Sequence, residues 1–203
     1  MIAIVDYEIG NVLSVARAVE VCGYTPIITK NHQELKEATH IILPGVGSFY
    51  EGMNKLKENN LIDILNYLVM EKQTPFLGIC LGMQLLADIG YEQQECKGLG
   101  WIPGEISLIP ASKYLLPLPH VGWNNVTFKK SLELFQGIKE NSDFYFVHSF
   151  YFNTKNESDI LATVHYGEEI PVIVNNRNIY GMQFHPEKSQ KVGLKLLNNF
   201  LQI

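Results

Sequence analysis

Short apolar runs alternate with helix-length segments through the first half of the chain, and this alternation constrains the fold more than any other feature. Ile2 to Val5 reads as a strand. Asn11 then caps a helix in which Val12, Val15, Ala16 and Val19 recur at helical spacing until Gly23 stops it. Pro26 to Thr29 and His40 to Leu43 read as further strands. Leu56 to Met70 reads as a helix with Leu61, Ile64, Leu65 and Leu68 on one face. Pro75 to Ile79 reads as a fourth strand that runs straight into a helix over Leu81 to Ile89. Strands joined through helices pair in parallel, so the expected fold is α/β: a central, mostly parallel sheet with helices on both faces.

The middle of the chain breaks this rhythm. Gly98 to Asn124 is rich in glycine and proline and predicts a small irregular or antiparallel insertion. Short strands follow around Phe144 to His148, Ile160 to His165, Pro171 to Val174 and Ile179 to Gln183. A closing helix over Gln190 to Leu201 carries an apolar stripe of Val192, Leu196, Leu197, Phe200 and Leu201. No repeat or linker interrupts residues 1–203, and one domain is expected.

Composition narrows the function. With a formal charge of −5 and no clustered stripe of Lys and Arg, the chain has no footprint for neutralising phosphates, and nucleic acid is not expected as a partner. The N-terminal MIAIVDYEIG lacks the basic flank and cleavage site of a signal peptide. No apolar run reaches the roughly 18 to 20 residues a bilayer requires, so the expected location is the cytoplasm, away from membranes. Cys22, Cys80 and Cys96 are an odd, irregularly spaced set that predicts free thiols and no disulfide framework.

The sharpest local signal is Gly78-Ile79-Cys80-Leu81-Gly82, a nucleophile between two glycines where a strand enters a helix. Such an elbow needs small residues on either side so that a strained turn can hold the nucleophile out from the sheet. Backbone N–H groups at the start of the helix also favour a thiolate. A core cysteine beside two packing glycines is the plainer account of this segment alone.

A nucleophile needs a base, and Gly181-Met182-Gln183-Phe184-His185-Pro186-Glu187 supplies one. The strand delivers His185 to a sheet edge where ligands bind in open α/β folds, Pro186 stiffens the turn, and Glu187 is placed to orient the imidazole. A lone histidine also fits a structural role. Pro44-Gly45-Val46-Gly47 is a loop suited to exposing a main-chain N–H to an oxyanion, with the amide of Leu81 as the second donor. An ordinary strand-to-helix turn explains the same residues.

Other candidates read more simply. Cys22 lies on an apolar helix face, Cys96 in a polar stretch, and Phe144-Tyr145-Phe146 alternates as strand residues do. His120, His148 and His165 show no metal-ligand spacing, so no metal is expected.

Taken together, Gly-Ile-Cys-Leu-Gly-Met-Gln at 78–84, Gly-Met-Gln-Phe-His-Pro-Glu at 181–187 and the loop at 44–47 resemble the class I glutamine amidotransferases. That resemblance implies a flavodoxin-like fold and no cofactor. It also implies hydrolysis of L-glutamine by Cys80 as nucleophile, His185 as general base and acid, and Glu187 as orienting carboxylate. Within the class, the chain is most similar to glutaminase subunits of imidazole glycerol phosphate synthase, on Val-Asp-Tyr at 5–7, His-Val-Gly-Trp-Asn at 120–124, Tyr-Phe-Val-His-Ser at 145–149 and His-Pro-Glu-Lys-Ser at 185–189.

That similarity implies a heterodimer with a (β/α)₈ cyclase subunit, to which ammonia is channelled for synthesis of imidazole glycerol phosphate and aminoimidazole carboxamide ribonucleotide. It further implies that Val46, Gly47, Leu81, Gln84 and Ser149 serve the oxyanion or the substrate, and that Asn11, Trp123, Tyr145 and Lys188 face the partner. Glu8 departs from the glycine usual after Asp-Tyr in this family. A related subunit that supplies ammonia for acetamidino-sugar formation in surface polysaccharides is the alternative. A stand-alone γ-glutamyl hydrolase and a non-catalytic docking protein are further ones.

Overall fold

A computed structural model describes all residues 1–203. The parallel half of the main sheet is built from β1 (Ile2–Val5), β2 (Pro26–Thr29), β3 (His40–Gly45) and β4 (Phe76–Cys80). The helices between them are α1 (Val12–Val21), α2 (His32–Glu37), α3 (Phe49–Glu58) and α4 (Ile62–Asn66), and the single-turn α5 (Leu81–Gln84) follows β4. The remaining strands are β5 (Ile89–Gly90), β6 (Cys96–Lys97), β7 (Gly104–Leu108), β8 (His120–Phe128), β9 (Asp143–His148), β10 (Phe150–Thr154), β11 (Ile160–Tyr166), β12 (Glu168–Asn176) and β13 (Ile179–Met182), before the closing α6 (Gln190–Phe200).

Nine strands form the main sheet in the order β2-β1-β3-β4-β13-β12-β11-β8-β9. From β2 to β13 every pairing is parallel, and from β13 to β9 every pairing is antiparallel. The sheet is therefore mixed, and its antiparallel part is larger than an insertion between residues 98 and 124. β5, β6, β7 and β10 form a separate four-stranded sheet.

The two-residue period of a strand sorts side chains between two cores. Ile2, Ile4, Ile42, Leu77 and Ile79 point to one face, where α1 and α6 cover them with Val15, Val19, Leu196, Leu197 and Phe200. Ala3, Val5, Ile41, Leu43 and Phe76 point to the other, under α3, α4 and the small sheet, which contribute Phe49, Met53, Leu56, Leu65, Ile106 and Phe152. No helix is long and apolar enough to cross a membrane.

Two expected elements differ, and α2 was not expected. The helix expected over Leu56 to Met70 is broken: Asn60 adopts a left-handed φ of 55°, and Leu61 N–H reaches back to the Leu56 carbonyl, a capping turn that ends α3. The helix expected over Leu81 to Ile89 stops after one turn. The carbonyls of Leu85, Leu86 and Ala87 accept instead from Leu99, Trp101, Ile102 and Gly100, and Ile89 joins the small sheet. α2 carried no apolar periodicity because Leu35 is its one buried residue; Asn31, whose side chain accepts from Gln33 N–H and Glu34 N–H, starts it.

Candidate active site

β3, β4 and β13 are neighbours, so the loop after β3, the end of β4 and the segment after β13 open at one edge of the sheet. Cys80 ends β4 with φ 55° and ψ −109°, a conformation a non-glycine residue holds only where its surroundings enforce it. The enforcing contacts are close. A Cβ on Gly78 would lie 2.4 Å from the Gly82 carbonyl oxygen, and one on Gly82 would lie 1.8 Å from the Leu43 carbonyl oxygen. Both positions flanking the elbow are thus closed to any side chain.

His185 follows β13, and its backbone N–H donates to the Tyr145 carbonyl at 3.1 Å. Its Nδ1 lies 2.8 Å from Glu187 Oε1, with both side chains almost wholly buried. Because a carboxylate accepts, Nδ1 carries the proton in the neutral ring and Nε2 is left basic. Nε2 has no hydrogen-bond partner. Burial acts to lower the His185 pKa, but the neighbouring Cys80 and Glu187 outweigh it and push it up to about 9. The elbow expected at Cys80 and the oriented imidazole expected at His185 and Glu187 are brought together.

Cys80 and His185 line a cleft of about 260 Å³ together with Val46, Gly47, Leu81, Gln84, Glu92, Val147, His148, Ser149 and Phe150. All five residues expected around the oxyanion and substrate therefore reach it. Gln84 spends its amide N–H groups on the Phe150 carbonyl at 3.2 Å and Gln183 Oε1 at 3.1 Å, which leaves its own carbonyl for a ligand. Gln183 in turn places its amide 3.8 Å from Cys80 Sγ.

Gln183 and Glu92 are among the residues at the site that escaped sequence reasoning. Gln183, fully buried between Met182 and Phe184, could have been found as a polar residue in an otherwise apolar run. Glu92 sits in an ordinary polar stretch that carries no signal. One of its oxygens accepts from Phe49 N–H at 2.8 Å, and its other oxygen makes no protein hydrogen bond.

His148 and His120 form a buried pair rather than a ligand set. His148 Nδ1 lies 2.9 Å from the Phe150 carbonyl and must donate to it, so its Nε2 accepts from His120 Nδ1 at 2.9 Å. Burial holds both pKa values down at about 4. No three His, Cys, Asp or Glu side chains converge on a metal-binding geometry.

The residues expected to face a partner are less uniform. Trp123 and Tyr145 are cross-strand neighbours on β8 and β9, as are Val121 and Val147, and the four make an apolar patch at the sheet's free edge. Trp123 is 48% exposed. Lys188 is exposed one residue beyond Glu187. Asn11 caps α1, its side chain accepting from Ser14 N–H at 3.2 Å. Glu8 has a left-handed φ of 71°, a conformation that favours glycine. Lys30 at 3.2 Å and Lys55 at 3.1 Å bind its carboxylate.

Comparison with known proteins gives the family. The sequence matches the family "Glutamine amidotransferase class-I" over residues 3–203. It is 47% identical over 203 residues, the full length of both chains, to imidazole glycerol phosphate synthase subunit HisH 1 of Campylobacter jejuni (strain RM1221). To subunit HisH of Aquifex aeolicus (strain VF5) it is 43% identical, over 97% of this chain and 94% of that one. Among solved structures, a glutamine amidotransferase superposes with a TM-score of 0.76 at 18% identity, covering 99% of this chain and 97% of the other. A glutamine amidotransferase from Thermotoga maritima superposes with a TM-score of 0.70 at 16% identity, covering 99% and 96%. Matched along almost its whole length, the chain belongs to the class I glutamine amidotransferases.

Proposed function

We propose that this chain is the glutaminase subunit of an imidazole glycerol phosphate synthase, releasing ammonia from L-glutamine for a (β/α)₈ cyclase partner. The observation that carries the reading is the 2.8 Å contact between Glu187 and a buried His185 that opens on the same cleft as the strained Cys80. Near-complete alignment with subunits of that enzyme supports the acceptor.

The steps follow from the atoms present. Cys80 gives its proton to His185 Nε2 and attacks the side-chain amide carbon of glutamine. The negative charge that develops on the amide oxygen is met by the N–H of Leu81 and by a main-chain N–H of the Val46–Gly47 loop. His185 passes the proton to the departing nitrogen, ammonia leaves, and a γ-glutamyl thioester remains on Cys80. Water, deprotonated by His185, then cleaves the thioester to glutamate and restores the thiol. Glu187 holds the ring and stabilises the imidazolium in both halves. The free oxygen of Glu92 receives the substrate's ammonium group, while Gln84 and the Ser149 segment hold its remaining polar groups.

Val121, Trp123, Tyr145 and Val147 form the partner-facing patch, with Lys188 near it, and Asn11 is a further polar contact proposed for the partner. The test is glutamate release by the chain alone, with the cyclase, and with cyclase plus its ribonucleotide substrate. Activity confined to the last mixture and abolished in Cys80→Ala is the expected outcome. Glutaminase activity that the cyclase and its substrate leave unstimulated would move the chain to another acceptor, with acetamidino-sugar formation tested next.

A further inference from the structure

Tyr7 follows β1 and is completely buried, yet its hydroxyl has no hydrogen-bond partner. A buried hydroxyl left unpaired costs about 1–3 kcal/mol, so its persistence calls for a reason. Its neighbours supply one. A Cβ on Gly45 would lie 2.1 Å from the Tyr7 oxygen and 3.0 Å from Leu81 Cβ, so the hydroxyl fills the space a side chain at position 45 would take. Gly45 is the last residue of β3 and pairs with Cys80. Val46, Gly47, Cys80 and Leu81 line the cleft, whereas Tyr7, though it abuts Gly45, does not. Burial, reinforced by the nearby Cys80, keeps this phenol protonated and therefore a donor.

A trans peptide is planar, with N–H and C=O directed oppositely. When the Gly45–Val46 peptide presents its N–H to an oxyanion in the cleft, its carbonyl turns away from the cleft, and Tyr7, beside Gly45 and outside the cleft, has an unused proton to offer it. We propose that Tyr7 is a positioning residue for the oxyanion loop: its hydroxyl donates to the Gly45 carbonyl when the Val46 N–H faces the tetrahedral intermediate. The inference rests on the glutaminase reading. It adds that formation of the reactive loop conformer satisfies a donor left idle in the resting one, so the hydroxyl favours that conformer selectively.

Tyr7→Phe keeps the ring and removes only the hydroxyl. In the complex with cyclase and ribonucleotide, kcat for glutamate release should fall about tenfold, less than the roughly 10²–10³-fold cost of deleting an oxyanion donor outright, because the Val46 N–H itself remains. The KM for glutamine should stay within about twofold, because loss of a contact made only in the transition state lowers kcat alone. Alkylation of Cys80 by iodoacetamide develops no oxyanion, and its rate should be unchanged. The melting temperature should not fall, since the variant deletes an unpaired group. A kcat equal to that of the unaltered chain overturns the proposal, as does a parallel loss of kcat, alkylation rate and melting temperature, which marks a packing role. Absence of glutaminase activity in the unaltered chain in every mixture overturns the functional reading, and this proposal with it.

Discussion

Glu187→Gln isolates the charge of the orienting carboxylate while preserving its size. His185 and Glu187 are buried side by side, with 2.8 Å between Nδ1 and Oε1. Burial alone disfavours an imidazolium, yet the His185 pKa stands at about 9 against an ordinary 6.5, through Cys80 and Glu187. At 1.36 kcal/mol per unit, that difference is roughly 3 kcal/mol of preference for the charged ring. Glu187 shares the effect with Cys80, so its neutralisation should lower the His185 pKa by roughly one to two units. A glutamine amide can also turn its NH₂ toward Nδ1 and trap the wrong tautomer. The expected loss in kcat is on the order of 10³-fold or more, as for an amide in place of the orienting carboxylate of other triads. Two assays read this out: glutamate release in the activated complex, and NMR titration of His185 in the chain alone. Linkage supplies a third signature. A histidine with a raised folded-state pKa contributes stability that is fully present below pH 6.5 and is lost as pH rises through about 9, so the variant's stability should vary less across that window. A variant whose His185 still titrates near 9 and that retains activity within tenfold would refute the assigned role of Glu187.

Gly82→Ala should destabilise the chain by roughly 1–3 kcal/mol or more, because its Cβ would meet the Leu43 carbonyl oxygen at 1.8 Å and neither backbone can yield cheaply. Urea unfolding measures this, and a midpoint equal to that of the unaltered chain would show that the elbow relaxes freely. The His120–His148 pair predicts the acid side of the stability profile. Burial depresses both pKa values to about 4, so the unfolded chain takes up protons first. Stability present above pH 6.5 should be lost as pH falls toward 4. Thermal melts at pH 7, 5.5 and 4.5 should fall in step, and the fall should be smaller in His120→Gln; identical slopes in the two proteins would remove the pair as its cause.

The parallel half of the fold was legible because each of its strands is an apolar run bounded by helical spacing. The elbow was legible because its glycines are required by contacts within a few ångströms of Cys80. Elements defined by what docks on them were not. Nothing within residues 81–89 announces that the loop at 98–102 will take the carbonyls of Leu85 to Ala87 and end the helix after one turn. Glu92 was hidden for the same reason, since its value comes from Phe49 N–H and a cleft assembled from distant segments. Glu8 shows the opposite case. The departure from glycine was visible in sequence, but the lysines that hold its carboxylate come from residues 30 and 55 and become its neighbours only in the folded chain.

The way the site is mounted separates what is fixed from what is adjustable. Cys80 is locked by backbone contacts at Gly78 and Gly82, and the buried His185 by the Tyr145 carbonyl and the Glu187 carboxylate. Val46, by contrast, is 44% exposed at the rim of the cleft. Val147, which also lines the cleft, belongs to the apolar patch with Val121, Trp123 and Tyr145. A partner that docks on that patch would touch a residue lining the cleft, and the exposed Val46 is more accessible to it than the buried Cys80 and His185. Activation through such a contact should therefore raise kcat by completing the oxyanion site, with no change in the pKa of His185. Titration of His185 with and without bound cyclase decides the point: a shift of a full unit on binding would place the coupling in the triad instead of the loop.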